Sequence, residues 1–558
     1  MTTHRKHISI NKTRNNRHHA VKRISDAMFK KLDELSPFEL NYKLIGMAGL
    51  DALNAGRGNP NFYNSFGRQV FIDIQTASIA LSNSLATDIK TYPNESDMNY
   101  KDALLLQAKH WPKDRRDFLK DYIHFLIKHS KEQKIGSNSI IYDLVKSSLG
   151  CYYPVPPQIQ PHLSVVAQHF LYELAIGSAT GNEPGSKMLE SDFECFATEG
   201  AAAGILYVFN TMKENYLLRP KDKIAIITPI FSPYLEMPSL SDYDLEIVEL
   251  KGNPNKNYSL DDSEIDKLKD KKIKALFVVN PSNPAGFSLS KENVDRIGHI
   301  VNTERKDLII LADNVYAPLA DQYNSIMLSC PYNTIEVYSL SKYFGTTGWR
   351  LGLCMISKKN RLNKLIANLP LKYKNALHKR YSTATLTPEK LTFMNRLVFD
   401  SRQVAEAHVG GLSTPQQVLI GILLYYDIRD RDTGGEKYRR ELKTLLKNRI
   451  SSLYDQLKTP LQIAPTQTNY YNLIDIPLVT KNIYGEKAAN YLVKEYSHLE
   501  FLFHLVGRYK TILLPGAGFG TSPWIFRICL ANLKSDDYPV IGKKIRDALR
   551  DLVTPVLI

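Results

Sequence analysis

Between residues 223 and 357 short apolar runs rich in β-branched residues recur: KIAIIT (223–228), YDLEIVEL (243–250), IKALFVVN (273–280), DLIILAD (307–313), TIEVYSLS (334–341) and LGLCMIS (351–357). Several are apolar almost throughout instead of alternating. That pattern predicts strands buried on both faces, as in a mostly parallel sheet. GAAAGILYVFNTM (200–212) and KENVDRIGHIVNTER (291–305) read as helices between or before them. The expected fold class is α/β: a mostly parallel central sheet with helices on both faces.

The flanks read differently. Ser36-Pro37-Phe38-Glu39 is a helix start, with Ser as N-cap, Pro at the first helical position and Glu at the third, so a helix is expected towards Leu50. LNAGRGNPNF (53–62) then either brings backbone close to a partner or is merely a turn. Residues 97–134 read as charged helices in a surface insertion, and GCYYPVPPQIQ (150–160) as a Pro-rich break before another helix. A second insertion-like stretch spans about 370–410. Helices are then expected at 416–429, 436–458 and 485–505, strands at 469–476, 511–515 and 524–530, and a last helix near 539–552. This mixture suggests a smaller α+β domain. The expected division is a basic leader (1–31), an N-terminal arm with part of the small domain (32–96), a helical insertion (97–149), a large domain (150–369), an insertion and interdomain segment (370–415) and a C-terminal small domain (416–558).

Composition narrows the class. A chain of 558 residues suits two or three globular units. With 43% hydrophobic and 23% charged residues it is neither disordered, collagen-like nor coiled coil. No apolar run reaches the roughly 18 residues that span a bilayer. Five scattered cysteines without CxxC pairs argue against a disulfide scaffold or zinc ribbon and fit a reducing compartment, so a cytoplasmic location is expected. Of the net charge of +15, +8 sits in residues 1–31, so the body of the chain does not ask for a nucleic-acid or membrane partner. The leader has no apolar stretch of a secretory signal and reads as a solvated tail, with a transit-like or polyanion-binding segment as the alternative.

Candidate chemistry gathers at the strand ends. Lys342 directly follows a buried strand in SLSKYFGTTGWRLG (339–352). A lysine desolvated there loses basicity and becomes a free amine able to condense with an aldehyde. Arg350 can pair with a phosphate dianion, and Ser339 and Ser341 add hydroxyl donors. Taken alone, SLSK reads more readily as an exposed lysine in a polar turn. Asp313 ends another strand, with Tyr316 three residues on; the plain alternative is a capping Asp and a core-edge aromatic. Asn283 in VVNPSNPAG (278–286) could be an ordinary turn residue or an amide at a cleft rim. ATEGAAAG (197–204) leads into a helix whose first amides, at Gly200 and Ala201, suit a phosphate. Phe231, in TPIFSPY (228–234), is placed to stack on a flat ring. In a parallel sheet all these strand ends open on one edge, where ligands bind. No P-loop, HExxH or GxSxG occurs, and GAGFG (516–520) completes no dinucleotide fingerprint. No metal site is expected.

The ordered set of Gly200, Phe231, Asn283-Pro284, Asp313/Tyr316, Ser339–Lys342, Arg350 and a late Arg527 in WIFRICL resembles the fold-type-I, class I/II aminotransferases. It is most similar to their bifunctional aspartate 4-decarboxylase subgroup, through LSPFEL (35–40), LNAGRGNPNF, CYYPVP (151–156), TEGAAA (198–203) and GLSTPQQ (411–417). The resemblance implies pyridoxal 5'-phosphate as cofactor and Lys342 as the catalytic lysine that carries it and later moves protons. It implies Asp313 against the ring nitrogen, Asn283 and Tyr316 at the phenolic oxygen, and Gly200, Ala201, Ser339, Ser341 and Arg350 around the phosphate. Arg527 would grip the substrate α-carboxylate, and Arg57 would serve capture at the mouth. Tyr153, or its neighbour Tyr152, would reach the partner subunit's phosphate, and Ser413 and Thr414 would face that same site. The expected activity is decarboxylation of L-aspartate to L-alanine and CO2 with secondary transamination to a 2-oxo acid; aminotransfer without decarboxylation is the alternative. A homodimer at least is implied, and weak donors instead of a bidentate arginine are expected on the β-carboxylate. Arg380 and Arg402, in the unfamiliar stretch, are further candidates there or merely solvated.

Overall fold

The computed structural model describes residues 25–49, 51–85, 93–176, 183–402 and 411–557. Most of the basic leader, Leu50 and residues 403–410 of the second insertion lie outside them. In chain order the strands are β1 (Leu53–Asn54), β2 (Phe193–Thr198), β3 (Lys223–Thr228), β4 (Glu246–Asn253), β5 (Ser259–Leu260), β6 (Ile273–Val279), β7 (Ile309–Asp313), β8 (Thr334–Ser339), β9 (Gly352–Ser357), β10 (Tyr471–Asp475), β11 (Thr511–Ile512), β12 (Leu514–Pro515) and β13 (Ile525–Cys529).

Eight of them form the central sheet, in the order β2-β9-β8-β7-β6-β3-β4-β5. β8, β7, β6, β3 and β4 run parallel; β9 is antiparallel to both of its neighbours and β5 to β4. β7, β8 and β9 are buried at every position, which explains their unbroken apolar runs. All six strands read from the sequence in this region are present. β2 was not among them, and it closes the sheet beside β9.

This topology fixes where chemistry can gather. β2 and β8 both pair antiparallel with β9, so β2 points the same way as the parallel strands. The carboxyl ends of β2, β3, β6, β7 and β8 therefore share one edge, and the antiparallel β9 starts from that same edge.

The smaller layer holds a three-stranded antiparallel sheet, β10-β13-β12, and a two-stranded parallel pair, β1-β11. The β1-β11 pair ties the N-terminal arm to the C-terminal region. The helix begun by Ser36 spans Pro37–Ala48, with the Ser36 hydroxyl accepting the Glu39 amide. The helix expected at 485–505 is two, Glu486–Glu495 and His498–Tyr509. The chain extends at Tyr496, and Ser497 caps the second helix in a capping box with Glu500. A helix Asp26–Asp33 begins inside the stretch read as a solvated leader, with Phe29 edge-on to His498. After the helix Pro37–Ala48 and before the sheet, helices Ser65–Leu85, Lys113–Ser130, Ser137–Leu149 and Pro161–Ala175 pack with Thr414–Thr433. Their inner faces are core: Phe118, Leu119, Tyr122 and Leu144 are fully buried. No described helix is long and apolar enough to cross a membrane.

Candidate active site

A cavity of about 500 Å³ opens on the shared carboxyl edge. Lys342, Asp313, Asn283, Tyr316, Ser339, Ser341, Ala201, Phe231, Arg350, Arg527 and Arg57 all line it. Strand ends, a helix start, an entry loop and the smaller layer thus converge on one space.

Lys342 leaves the end of β8 and donates from Nζ to the Gly58 carbonyl at 3.0 Å. Burial pulls its pKa down to about 8, with the Arg527 and Arg350 cations acting in the same direction. A useful share of the amine is therefore unprotonated near neutrality. The entry loop 53–62 does bring backbone close: the Gly58 carbonyl also accepts the Tyr470 hydroxyl, and the Gly56 carbonyl accepts Arg527 Nη2 at 2.7 Å. A Cβ on Gly58 would strike the Tyr471 hydroxyl and come within 3.6 Å of Lys342 Nζ.

Asp313, at the end of β7, is buried and accepts the Val315 amide at 3.2 Å and the Tyr234 hydroxyl at 3.0 Å. Burial raises its carboxyl to about 6, against those two hydrogen bonds and the Lys342 charge. Such a carboxylate is short of a cationic partner. Burial holds the Tyr316 phenol well above its ordinary range, so it stays a neutral donor. Its ring lies against Tyr470 and Tyr471, with centroids 5.2 and 5.7 Å away.

The β2-to-helix turn is shaped around Arg350. Gly200 has φ +93° and ψ 165°, a region only glycine adopts readily, and caps the helix Ala201–Glu214 without a side-chain bond. A Cβ there would meet Arg350 Nη2 at 2.8 Å. The antiparallel β9 brings Arg350 to this edge. Ser339 and Ser341 are buried beside it, with the Ser341 amide donating to Ser339 Oγ at 3.2 Å.

Arg527 on β13 is buried between two aromatic faces, 4.6 Å from the Tyr471 centroid and 4.7 Å from that of Phe519. Nη1 donates to Asn283 Oδ1 at 3.2 Å, while Nε is buried with no hydrogen-bond partner. A guanidinium so held is oriented yet incompletely satisfied, as a carboxylate clamp should be. GAGFG forms a short 3-10 turn ahead of this strand and supplies Phe519.

Some residues fall elsewhere. Tyr153 is 73% exposed and lines a separate surface recess with Tyr152, outside the central cavity of this chain. Tyr152 is tied down by Ser147 Oγ at 3.0 Å and Gln160 Oε1 at 3.2 Å, so Tyr153 is the one able to reach outward. Ser413 is exposed, but Thr414 is buried and does not face outward. Arg380 is paired with Asp400 and Glu214, and Arg402 donates to the Val398 carbonyl; neither lines the cavity. Tyr234, Tyr471, Phe519 and Gly58 are site residues that motif reading missed. Tyr234 sits three residues after Phe231 in TPIFSPY, and Tyr471 in the tyrosine pair of NYYN.

The donor set fits pyridoxal phosphate from end to end. A capless helix start and a glycine too crowded for a Cβ flank an arginine at one side. An uncompensated buried carboxylate stands for a ring nitrogen, and a lysine of lowered basicity stands for an aldehyde.

The fold and these residues define a pyridoxal-phosphate enzyme of the aminotransferase type. The family profile for aminotransferase class I and II matches residues 185–545, and the chain belongs to that family. Its cofactor is pyridoxal 5'-phosphate. The chain is 36% identical, over 93% of its length and 96% of the other's, to a bifunctional aspartate aminotransferase and L-aspartate β-decarboxylase of a Pseudomonas species. An aspartate aminotransferase of Sulfurisphaera tokodaii is 26% identical over 32% of this chain and 44% of its own length. Among solved structures, the aspartate aminotransferase of Rhizobium meliloti superposes with a TM-score of 0.59 over 93% of this chain and 97% of that one. Its identity is 14%, so that likeness speaks for the fold alone.

Proposed function

We propose that this protein is a pyridoxal-phosphate-dependent L-aspartate 4-decarboxylase, converting L-aspartate to L-alanine and CO2, with aspartate transamination as a secondary activity. The observation that carries this reading is the end-to-end likeness to the bifunctional Pseudomonas enzyme, against matches of about a third of the chain to aspartate aminotransferases. The cavity agrees. Its described lining offers three arginines. Arg350 is set for phosphate and the buried Arg527 for the α-carboxylate, which leaves the exposed Arg57 at the entry loop for the β-carboxylate. A loosely held β-carboxylate retains the charge that drives its loss as CO2, whereas a tight bidentate pair would stabilise it in place.

Gly200, Ala201, Ser339, Ser341 and Arg350 would hold the phosphate, Asp313 the ring nitrogen, and Asn283 with Tyr316 the phenolic oxygen. When bound, the cofactor supplies an electron sink for the pair left at Cα or Cβ. The protein directs which bond breaks. Arg527, fixed by Asn283, Gly56 and two aromatic faces, orients the α-carboxylate and so sets the Cα–H bond towards Lys342. Lys342 Nζ, with its pKa lowered to about 8, is far more often neutral at physiological pH than an exposed lysine; in that form it takes the proton and can return one. Tyr316, Tyr471 and Phe519 wall the site with aromatic surface, which limits the water that would divert the reaction to a 2-oxo acid.

We place the domains as the chain pattern divides them, with 150–369 as the cofactor domain and 416–558 as the small domain joined by the arm 32–96. The working unit is a homodimer at least, located in the cytoplasm. Supplying L-aspartate without any 2-oxo acid tests the activity. Stoichiometric CO2 and alanine support it; no sustained turnover until a 2-oxo acid is added would leave a plain aminotransferase.

A further inference from the structure

Away from the cavity, three segments bring metal-ligating side chains together. His129 closes the helix Lys113–Ser130, His169 lies on the helix Pro161–Ala175, and Glu190 opens the short turn that leads into β2. One ligand atom from each lies within 4.8 Å of the others, and all three residues are half-buried. The imidazole centroids are 5.2 Å apart. Phe125 stacks on His129 at 4.3 Å and meets His169 edge-on at 5.3 Å, which walls the rings on one side. His169 Nδ1 lies 3.0 Å from Glu190 Oε2.

Two further observations separate this cluster from a chance ion pair. His129 Nδ1 is sealed from solvent and has no hydrogen-bond partner. An orphaned polar nitrogen costs free energy unless something ligates it. The support around the cluster is also built. Gln168 Nε2 holds the Glu190 carbonyl at 3.0 Å, and Gln133 Nε2 holds Gln168 Oε1 at 3.0 Å, which fixes the turn that presents the carboxylate.

We propose that His129, His169 and Glu190 form a binding site for a divalent transition-metal ion of the zinc class. Two imidazole nitrogens and one carboxylate oxygen suit zinc, with water completing a tetrahedron. Ligand bonds of about 2.0–2.2 Å require the three atoms to close by roughly 1 Å, within reach of side-chain rotation. The ion replaces the His169–Glu190 contact and takes one ring nitrogen of His129. It staples two helices to the entry of β2, so its effect is on stability and not on turnover.

The test uses the full-length, cofactor-loaded protein stripped of metal with a chelator. Zn2+ is titrated in competition with a chromophoric chelator, and unfolding is followed by calorimetry with and without Zn2+. Because the leader contains His4, His7, His18 and His19, the comparison is between wild type and variants. His129→Ala and Glu190→Gln should each lose one Zn2+ equivalent or weaken it about 100-fold or more, and should lose the Zn2+-dependent rise in Tm. Turnover should match wild type. Glu190→Gln keeps the side-chain volume and carries the test should His129→Ala fold poorly. Wild-type protein without a tight site, or Glu190→Gln with wild-type zinc affinity and thermal response, overturns the proposal.

Discussion

Lys342 is a cationic side chain held where a cation is unwelcome. Its neighbours are Arg527, Arg350 and a backbone carbonyl, and burial brings its pKa from 10.5 to about 8. In the cofactor-free protein, folded and unfolded chains both hold this proton below pH 8, so the folded state bears the whole cost of a buried charge. Between about 8 and 10.5 the folded chain has released it and the unfolded chain has not, so stability rises with pH through that window. The shift corresponds to about 3 kcal/mol. Lys342→Met apoprotein should therefore melt above wild-type apoprotein at pH 7, and the gap should narrow towards pH 10. A gap independent of pH in calorimetry would mean that the amine is not perturbed. Asp313 has the opposite slope: its carboxyl is raised from 3.8 to about 6, so its share of stability falls as pH rises through that interval.

At the scale of elements, the turn between β2 and the helix Ala201–Glu214 is the proposed seat of the phosphate. Gly200 occupies a backbone region that costs other residues about 1–3 kcal/mol, and its Cα leaves no room beside Arg350. Gly200→Ala should relieve that clash by moving the turn or the arginine. The apparent Kd for pyridoxal phosphate should rise about 10-fold or more, read by equilibrium dialysis; unchanged affinity would remove the turn from the phosphate site. This turn was legible as the glycine-led helix start in ATEGAAAG, although β2 before it was not read. Asn283, Asp313 and Lys342 were legible because each combines an apolar strand with a polar residue at its end. Tyr234, Tyr471 and Phe519 were not. Their roles arise from contacts across the chain, Tyr234 to Asp313 and the other two to Arg527, and local pattern carries no record of such pairings. The split of the helix expected at 485–505 was readable in principle, since Ser497 and Glu500 have the spacing of a capping box. The apolar face of His498–Tyr509 continued the pattern and concealed the break.

For the whole molecule, the eight-stranded sheet supplies a fixed edge and the smaller layer lowers Arg527 onto it. Tyr153, one of the motif residues outside that cavity, is exposed, and on the proposed reading it serves the partner subunit. Mixed subunits distinguish that role from a local one. A dimer of one Lys342→Ala and one Tyr153→Phe subunit contains one site with both native residues. Co-refolding the two weakened variants should restore roughly a quarter of wild-type activity, from one sound site in half the dimers. Activity no higher than the mean of the separate variants would place Tyr153 outside the shared site.

The central claim is that Lys342 is the residue that carries the cofactor, and borohydride trapping tests it most directly. Wild-type protein loaded with pyridoxal phosphate, reduced, digested and analysed by mass spectrometry should bear the phosphopyridoxyl mass on Lys342, and Lys342→Ala should bear none. A modified peptide elsewhere in the chain, or a full adduct in the variant, would contradict the account.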